Sequence, residues 1–271
     1  MTSKGNGNLM LTLLAMLPGF NFMILVRGNQ SRSTMYKSEM SNKTTTTIPP
    51  DEFIAENDTN KALVTASGGL SVIGSSIIIL TYLSWKSIRT TSRLLLVYIS
   101  LGDFLTAGTN VLSTWQPANG YRTTPICIAT ATVNTIAVLS TFFWTTFLAI
   151  YLYLAICRQM ESRTEIKVLF VFHLVGWGVP ATIVFTALGL NKIGNTEDIT
   201  SAGWCWIKHS KHVWDMVLWM ILAGKGWELL AYIAIVVFYA KVKVYISKQM
   251  KVSFEIKFYI LDYNPLNILM S

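Results

Sequence analysis

A few residues in this chain sit where their chemistry is costly. Lys225 and Glu228 lie three residues apart inside an apolar run, a spacing that puts both on one face of a helix. Two readings are open: a polar contact for a ligand, or a mutually neutralising pair that makes the run tolerable in an apolar medium. Asp103 stands alone in another apolar run. It reads either as a switch or ion-binding acid, or as a protonated structural carboxyl bonded to a neighbouring helix. The three cysteines, Cys127, Cys157 and Cys205, are too few for a metal cluster or a disulfide scaffold; one pair plus one spare thiol is the natural arithmetic. No H-E-x-x-H, G-x-S-x-G or P-loop occurs, and the hydroxyl-rich stretch has no base within obvious reach. The residues therefore predict no enzyme, no metal site and no cofactor.

The elements that must position these residues are membrane helices. Ile126–Ile156 holds thirty-one residues and no charged side chain, whereas about 20 apolar helical residues cross a hydrocarbon core of about 30 Å. Such a helix must tilt or project. Thr130, Thr132, Asn134, Thr135, Ser140 and Thr141 dot its first half, which suits an inner helix packed against neighbours. The 271-residue chain is 52% hydrophobic and only 13% charged, with mean hydropathy +0.46; a soluble protein carries about 25% charged residues. The sequence predicts an all-α polytopic transmembrane bundle embedded in a lipid bilayer. Its five spans run at about 62–83, 94–112, 126–156, 168–190 and 217–240, within a bundle at 61–246. The net charge of +8 reads as charge retained in short inner loops rather than as a nucleic-acid surface.

Residues 1–28 begin with Lys4, an apolar run from Leu9 to Leu17, and Pro18-Gly19: a signal peptide or an uncleaved anchor. Residues 29–60 are polar, without helical or strand period, and read as a disordered extracellular tail. Three N-x-S/T sequons, at Asn29, Asn42 and Asn57, precede the first span and none follows it, which predicts glycosylation and an outside N-terminus. Lys86, Arg89 and Arg93 follow span one. Arg158, Arg163 and Lys167 follow span three, and Lys241, Lys243, Lys248 and Lys251 follow span five. By the positive-inside rule these loops are cytoplasmic, and so is the C-terminus.

That orientation puts Cys127, at the outer end of span three, on the same oxidising side as Cys205, in the loop between spans four and five; a disulfide is the expectation. Cys157 falls on the reducing side, where palmitoylation is a weakly supported alternative to a plain thiol. Asp103 lies about 15 Å along span two, near mid-bilayer, where a lone acid costs about 2.5–3.5 kcal/mol. Lys225 is about 24 Å above Lys241 and belongs to the outer half. Trp206, beside Cys205, joins Lys225 and Glu228 as a candidate for the ligand pocket. His173 reads as a satisfied bundle histidine, and Phe142, Phe143, Trp144, Tyr151 and Tyr153 as packing residues.

Several strings carry a resemblance. They are Phe142-Phe143-Trp144-Thr145, Tyr151-Leu152-Tyr153-Leu154, Trp177-Gly178-Val179-Pro180, Gly203-Trp204-Cys205-Trp206-Ile207, Val217-Leu218-Trp219-Met220, Gly224-Lys225, Trp227-Glu228 and Leu230-Ala231-Tyr232. Arg93-Leu94-Leu95-Leu96 and Ser100-Leu101-Gly102-Asp103 fit as well. Over about 61–245 the chain resembles seven-helix G-protein-coupled receptors of the secretin type and the slime-mould cyclic-AMP receptors. The resemblance implies a plasma-membrane receptor with an extracellular ligand and a heterotrimeric G protein as partner. It also implies the Cys127–Cys205 bond, and Arg158 and Arg163 facing the G protein; an ordinary positive-inside anchor is the plain alternative for Arg158. No cysteine precedes Cys127, so the cysteine-bonded hormone domain is not expected, which favours a small ligand. After Lys251 no run near 18 apolar residues remains. Spans six and seven are thus expected to be missing, as in a truncated isoform or an incomplete gene model, with 247–271 a cytoplasmic tail unlike receptor sequence and signalling impaired. The competing class is a small polytopic transporter or channel subunit, which should show broken helices in two repeated halves; no such repeat is visible.

Overall fold

The computed structural model of the protein describes residues 58–115, 125–195, 205–208 and 212–262. The leader, the polar tail with Asn29, Asn42 and Asn57, and Trp204 lie outside the described residues. Helix α1 spans Asp58–Ser84 and α2 Thr91–Thr114, with a 3₁₀ turn at Lys86–Ile88 between them. Helices α3 (Pro125–Cys157) and α4 (Ser162–Gly189) follow. Next come strands β1 (Ile193–Asn195) and β2 (Cys205–Ile207). Helix α5 (Val213–Met220), a π turn (Ile221–Lys225) and α6 (Gly226–Asp262) form the last rod. Five helical segments are long and apolar enough to cross a membrane, the fifth running through α5, the π turn and α6.

Two differences from the sequence reading have physical causes. The helices outrun their apolar cores: α4 begins at Ser162 rather than 168. Hydropathy stops at the first charged side chain, whereas the backbone keeps its hydrogen bonds through the headgroup layer, with Lys and Arg reaching water. The largest extension is α6, which continues to Asp262 where a tail was expected from 247; residues 241–262 contain no Gly or Pro to stop it. The second difference is a two-stranded antiparallel hairpin in the loop between spans four and five, pairing Ile193 with Ile207, Gly194 with Trp206 and Asn195 with Cys205. Strands of three residues are too short for alternation to reveal them.

The chain divides into two compact units. In the first, which holds the described parts of 58–77, 103–134 and 191–216, a Cβ on Gly68 would run into Val111, so α1 and α2 approach here through bare backbone. Trp115 Nε1 donates to Thr65 Oγ1 (2.9 Å) and Thr109 Oγ1 to Asn134 Oδ1 (3.1 Å). These bonds tie α1 to α2 and α2 to α3.

In the second unit, which holds the described parts of 78–102, 135–190 and 217–262, Leu95, Ile99, Trp144, Phe147, Leu148 and Phe172 form the core. Phe147 stacks on Phe172 with centroids 4.3 Å apart, and the Trp144 indole lies against Gly176, where a Cβ would sit 3.1 Å from it. Arg89 donates to the carbonyls of Tyr82 and Leu83, capping the end of α1. Half of the most apolar stretch of α3 is buried, more than in any other span. Its hydroxyls are accommodated by bonding back one turn, as Thr141 does to Ala137 and Thr145 to Thr141.

Candidate functional site

The polar centre of the second unit is built on the fifth span. Lys225 Nζ lies 3.0 Å from Glu228 Oε2, and Tyr232 Oη donates to Glu228 Oε1 at 3.2 Å. Three residues spaced i, i+3 and i+7 make one stripe, so both oxygens of the carboxylate receive a donor from the same helix. The two ends of the ion pair differ in access: the Lys225 side chain is 40% exposed and that of Glu228 14%. Lys225 also closes the π turn. Wider turns of this kind are rare and recur at functional sites. Here Trp227 Nε1 donates to the carbonyl of Leu222 (2.9 Å) while its ring packs on Phe143 of α3, centroids 4.9 Å apart. Further along, Tyr153 of α3 meets Phe238 (5.6 Å), and Lys241 lies over both rings. Trp227 and Tyr232 stand in the sequence only as parts of the resemblance, not as site residues, and nothing in it marks the π turn; the i+4 step from Glu228 to Tyr232 was the available signal.

In the same unit His173 is a packing residue, its ring 4.9 Å from Tyr98 and 5.0 Å from Trp144. Tyr151 Oη donates to Glu165 Oε1 (2.9 Å), joining the end of α3 to the start of α4. Arg158 and Arg163 are exposed in that connection, and neither enters an ion pair among the described residues. Cys157 is a free, half-buried thiol. Ser140 Oγ and Trp144 Nε1, one turn apart on α3, are buried without a hydrogen-bond partner among the described residues.

The first unit carries a strap between the fourth and fifth spans. Cys127 and Cys205 form a disulfide with Cα atoms 5.6 Å apart, joining the start of α3 to β2. Lys192, just before β1, pairs with Asp215 at the start of α5 (2.6 Å), and Lys208 donates to Asn191. The hairpin is thus held by a covalent bond and by polar ties at its open end. Gly194, at φ +156°, packs against the flexible Lys208 stem, which a side chain there would have to push aside. Trp206, half-buried, is the central residue of β2. Asp103 is also half-exposed, yet its Oδ1 is buried and unbonded among the described residues. None of the described residues forms a cluster of three or more His, Cys, Asp or Glu able to hold a metal.

The chain combines long apolar helices, the third of them the most buried, with a disulfide from the start of that helix to the hairpin between the fourth and fifth spans. The chain belongs to the family of 7 transmembrane receptors (secretin family), which it matches over residues 58–256. It is 38% identical over 200 residues to G-protein coupled receptor 157 of Mus musculus, covering 74% of this chain and 58% of that protein. It is 30% identical over 135 residues to cyclic AMP receptor-like protein C of Dictyostelium discoideum, covering 45% and 35% respectively. The chain therefore spans about three-fifths of the length of the mammalian G-protein coupled receptor 157 proteins it matches. In fold it is similar to squid rhodopsin, with a TM-score of 0.58 at 15% identity, covering 78% of this chain and 58% of that one. The family match extends ten residues beyond 246, where receptor-like sequence was expected to stop. Membership favours a multi-pass membrane receptor over a small transporter or channel subunit.

Proposed function

We propose that the protein is a plasma-membrane receptor that conveys an extracellular small-molecule signal to a heterotrimeric G protein. The observation that carries this reading is the secretin-family match, which takes in all five spans. Receptor output is a shift between conformations that a ligand binds unequally, not a reaction on the ligand. In this reading the N-terminus is outside and carries glycans, and the strap with Trp206 lies at the outer surface. Lys225 and Glu228 read the ligand within the fifth span, Asp103 is an intramembrane polar switch, and Arg158 and Arg163 meet the G protein.

Energy-transfer sensors for the separation of Gα from Gβγ, co-expressed with the protein one G-protein class at a time, test it. At least one class should respond above the vector control. Arg158→Ala with Arg163→Ala should reduce that response at equal surface expression. Protein that reaches the surface and moves no class, both alone and completed by the remaining spans of the mouse G-protein coupled receptor 157, overturns the reading.

A further inference from the structure

We propose that Lys225 is the anchor for the head of a single-chain amphiphilic anion, a long-chain carboxylate or a monoacyl phosphate. The inference rests on the receptor reading only in calling this molecule a ligand. The sign of its charge comes from the asymmetry of the pair. Glu228 is the buried partner, and each of its oxygens already accepts a hydrogen bond, from Lys225 and Tyr232. A cationic ligand would have to displace Lys225 from that carboxylate and leave an ammonium uncompensated at hydrocarbon depth, a costly exchange. An anion meets Lys225 on its exposed side and leaves the Glu228–Tyr232 bond in place.

The apolar body follows from the surroundings. Lys225 lies about 18 Å along the rod from Val213 and about 24 Å from Lys241, inside the hydrocarbon layer whichever end is outside. Ile221, four residues before Lys225 across the π turn, and Leu229, four residues after it in α6, share its side of the helix, and both are exposed. A small hydrated anion would lose its water there against leucine and isoleucine, whereas an acyl chain is at home along them. Because Lys225 closes the π turn, an anion held by its ammonium bears on the stretch of the span whose backbone pairing departs from the α-helical pattern.

The test uses the purified chain in neutral phosphatidylcholine nanodiscs, with a photoreactive diazirine palmitate as probe and oleate, oleoyl phosphate, oleyl alcohol and oleylamine as competitors. Oleate and oleoyl phosphate should displace the probe, and the alcohol and amine should fail to do so. Lys225→Met should weaken probe binding by about tenfold or more, the scale of a lost charge-assisted hydrogen bond; Lys225→Arg should retain it. Glu228→Gln should tighten probe binding, since the neutral amide competes less for Lys225 than the carboxylate does. Competition by oleylamine as strong as by oleate, or binding that survives Lys225→Met, overturns the proposal. The competitor series on the unaltered chain decides the matter if a variant does not fold. Sensor responses separate the two claims: probe binding with no G-protein response leaves the anion site standing and fails the receptor reading, and a G-protein response with no probe binding does the reverse.

Discussion

The indole nitrogen of Trp227 donates to the carbonyl oxygen of Leu222, five residues earlier, at 2.9 Å. The π turn at Ile221–Lys225 interrupts the α-helical bonding pattern. A side chain from the next turn supplies a donor to that stretch, while its ring packs on Phe143. Trp227→Phe keeps a ring for Phe143 and removes the donor. It should lower the stability of the detergent-solubilised protein by about 1 kcal/mol, read as a small fall in Tm. Trp227→Ala also removes the aromatic contact of this half-buried ring and should cost about 2 kcal/mol. Equal effects of the two would show that the hydrogen bond contributes nothing.

The Lys225–Glu228 pair should show coupled single-variant effects, because damage follows from the charge left behind. Lys225→Ala strands the buried carboxylate, with Tyr232 still donating to it. Glu228→Ala strands an ammonium whose exposed side faces hydrocarbon rather than water. Each single variant should therefore reach the cell surface less well than the unaltered protein. The double variant should do better than the sum of the two losses predicts. Additive losses across the cycle, measured by surface labelling, would sink the coupling.

What could be read without coordinates follows the range of the interaction. A span announces itself through twenty adjacent apolar residues, and the Lys225–Glu228 pairing needs only the helical repeat, so both are visible locally. Tyr232 was one further turn along the same stripe. The aromatic set around Trp144 is different: Tyr98, Trp144 and His173 come from three separate spans, and no local pattern says that their rings lie within about 5 Å of one another. The π turn also escapes, because Ile221–Lys225 carries no residue that demands it. The hairpin is hidden by its shortness, since one disulfide and one ion pair hold it rather than a run of alternating residues.

Gly102 marks a close approach between α2 and α3 that tolerates no side chain. A Cβ there would coincide with Thr141 Oγ1 and lie 3.1 Å from the Ala137 carbonyl, to which that hydroxyl donates. Gly102→Ala should cost about 1–3 kcal/mol by overpacking. Gly108→Ala, on the same helix with open space around it, should be neutral or mildly stabilising through helix propensity. Thermal shift of the two purified variants makes the comparison, and similar Tm values would remove Gly102 as a packing constraint.

An outside N-terminus predicts glycans on Asn29, Asn42 and Asn57. Glycosidase treatment should lower the apparent mass of the expressed protein, and Asn42→Gln and Asn57→Gln should do so in steps. An unchanged mass, together with an N-terminal epitope that antibodies reach only after permeabilisation, reverses the topology and with it the outer placement of the strap.

The disulfide makes a countable prediction about all three cysteines. Cys127 and Cys205 are bonded, and Cys157 is free at the far end of α3, about 45 Å from Cys127 along the helix. Disulfide partners have Cα atoms within about 7 Å, so Cys157 cannot exchange with Cys127 without unfolding the span between them. Thiol labelling of denatured protein should find one reactive cysteine before reduction and three after. Lys192→Ala should leave those counts unchanged, since the bond does not depend on the Lys192–Asp215 pair. It should instead speed hydrogen exchange in Ile193–Asn195, because the pair ties the entry of the hairpin to α5. If Cys205 labels before reduction, the strap is not covalent. If exchange at β1 is indifferent to Lys192, the ion pair does not tie the hairpin to α5.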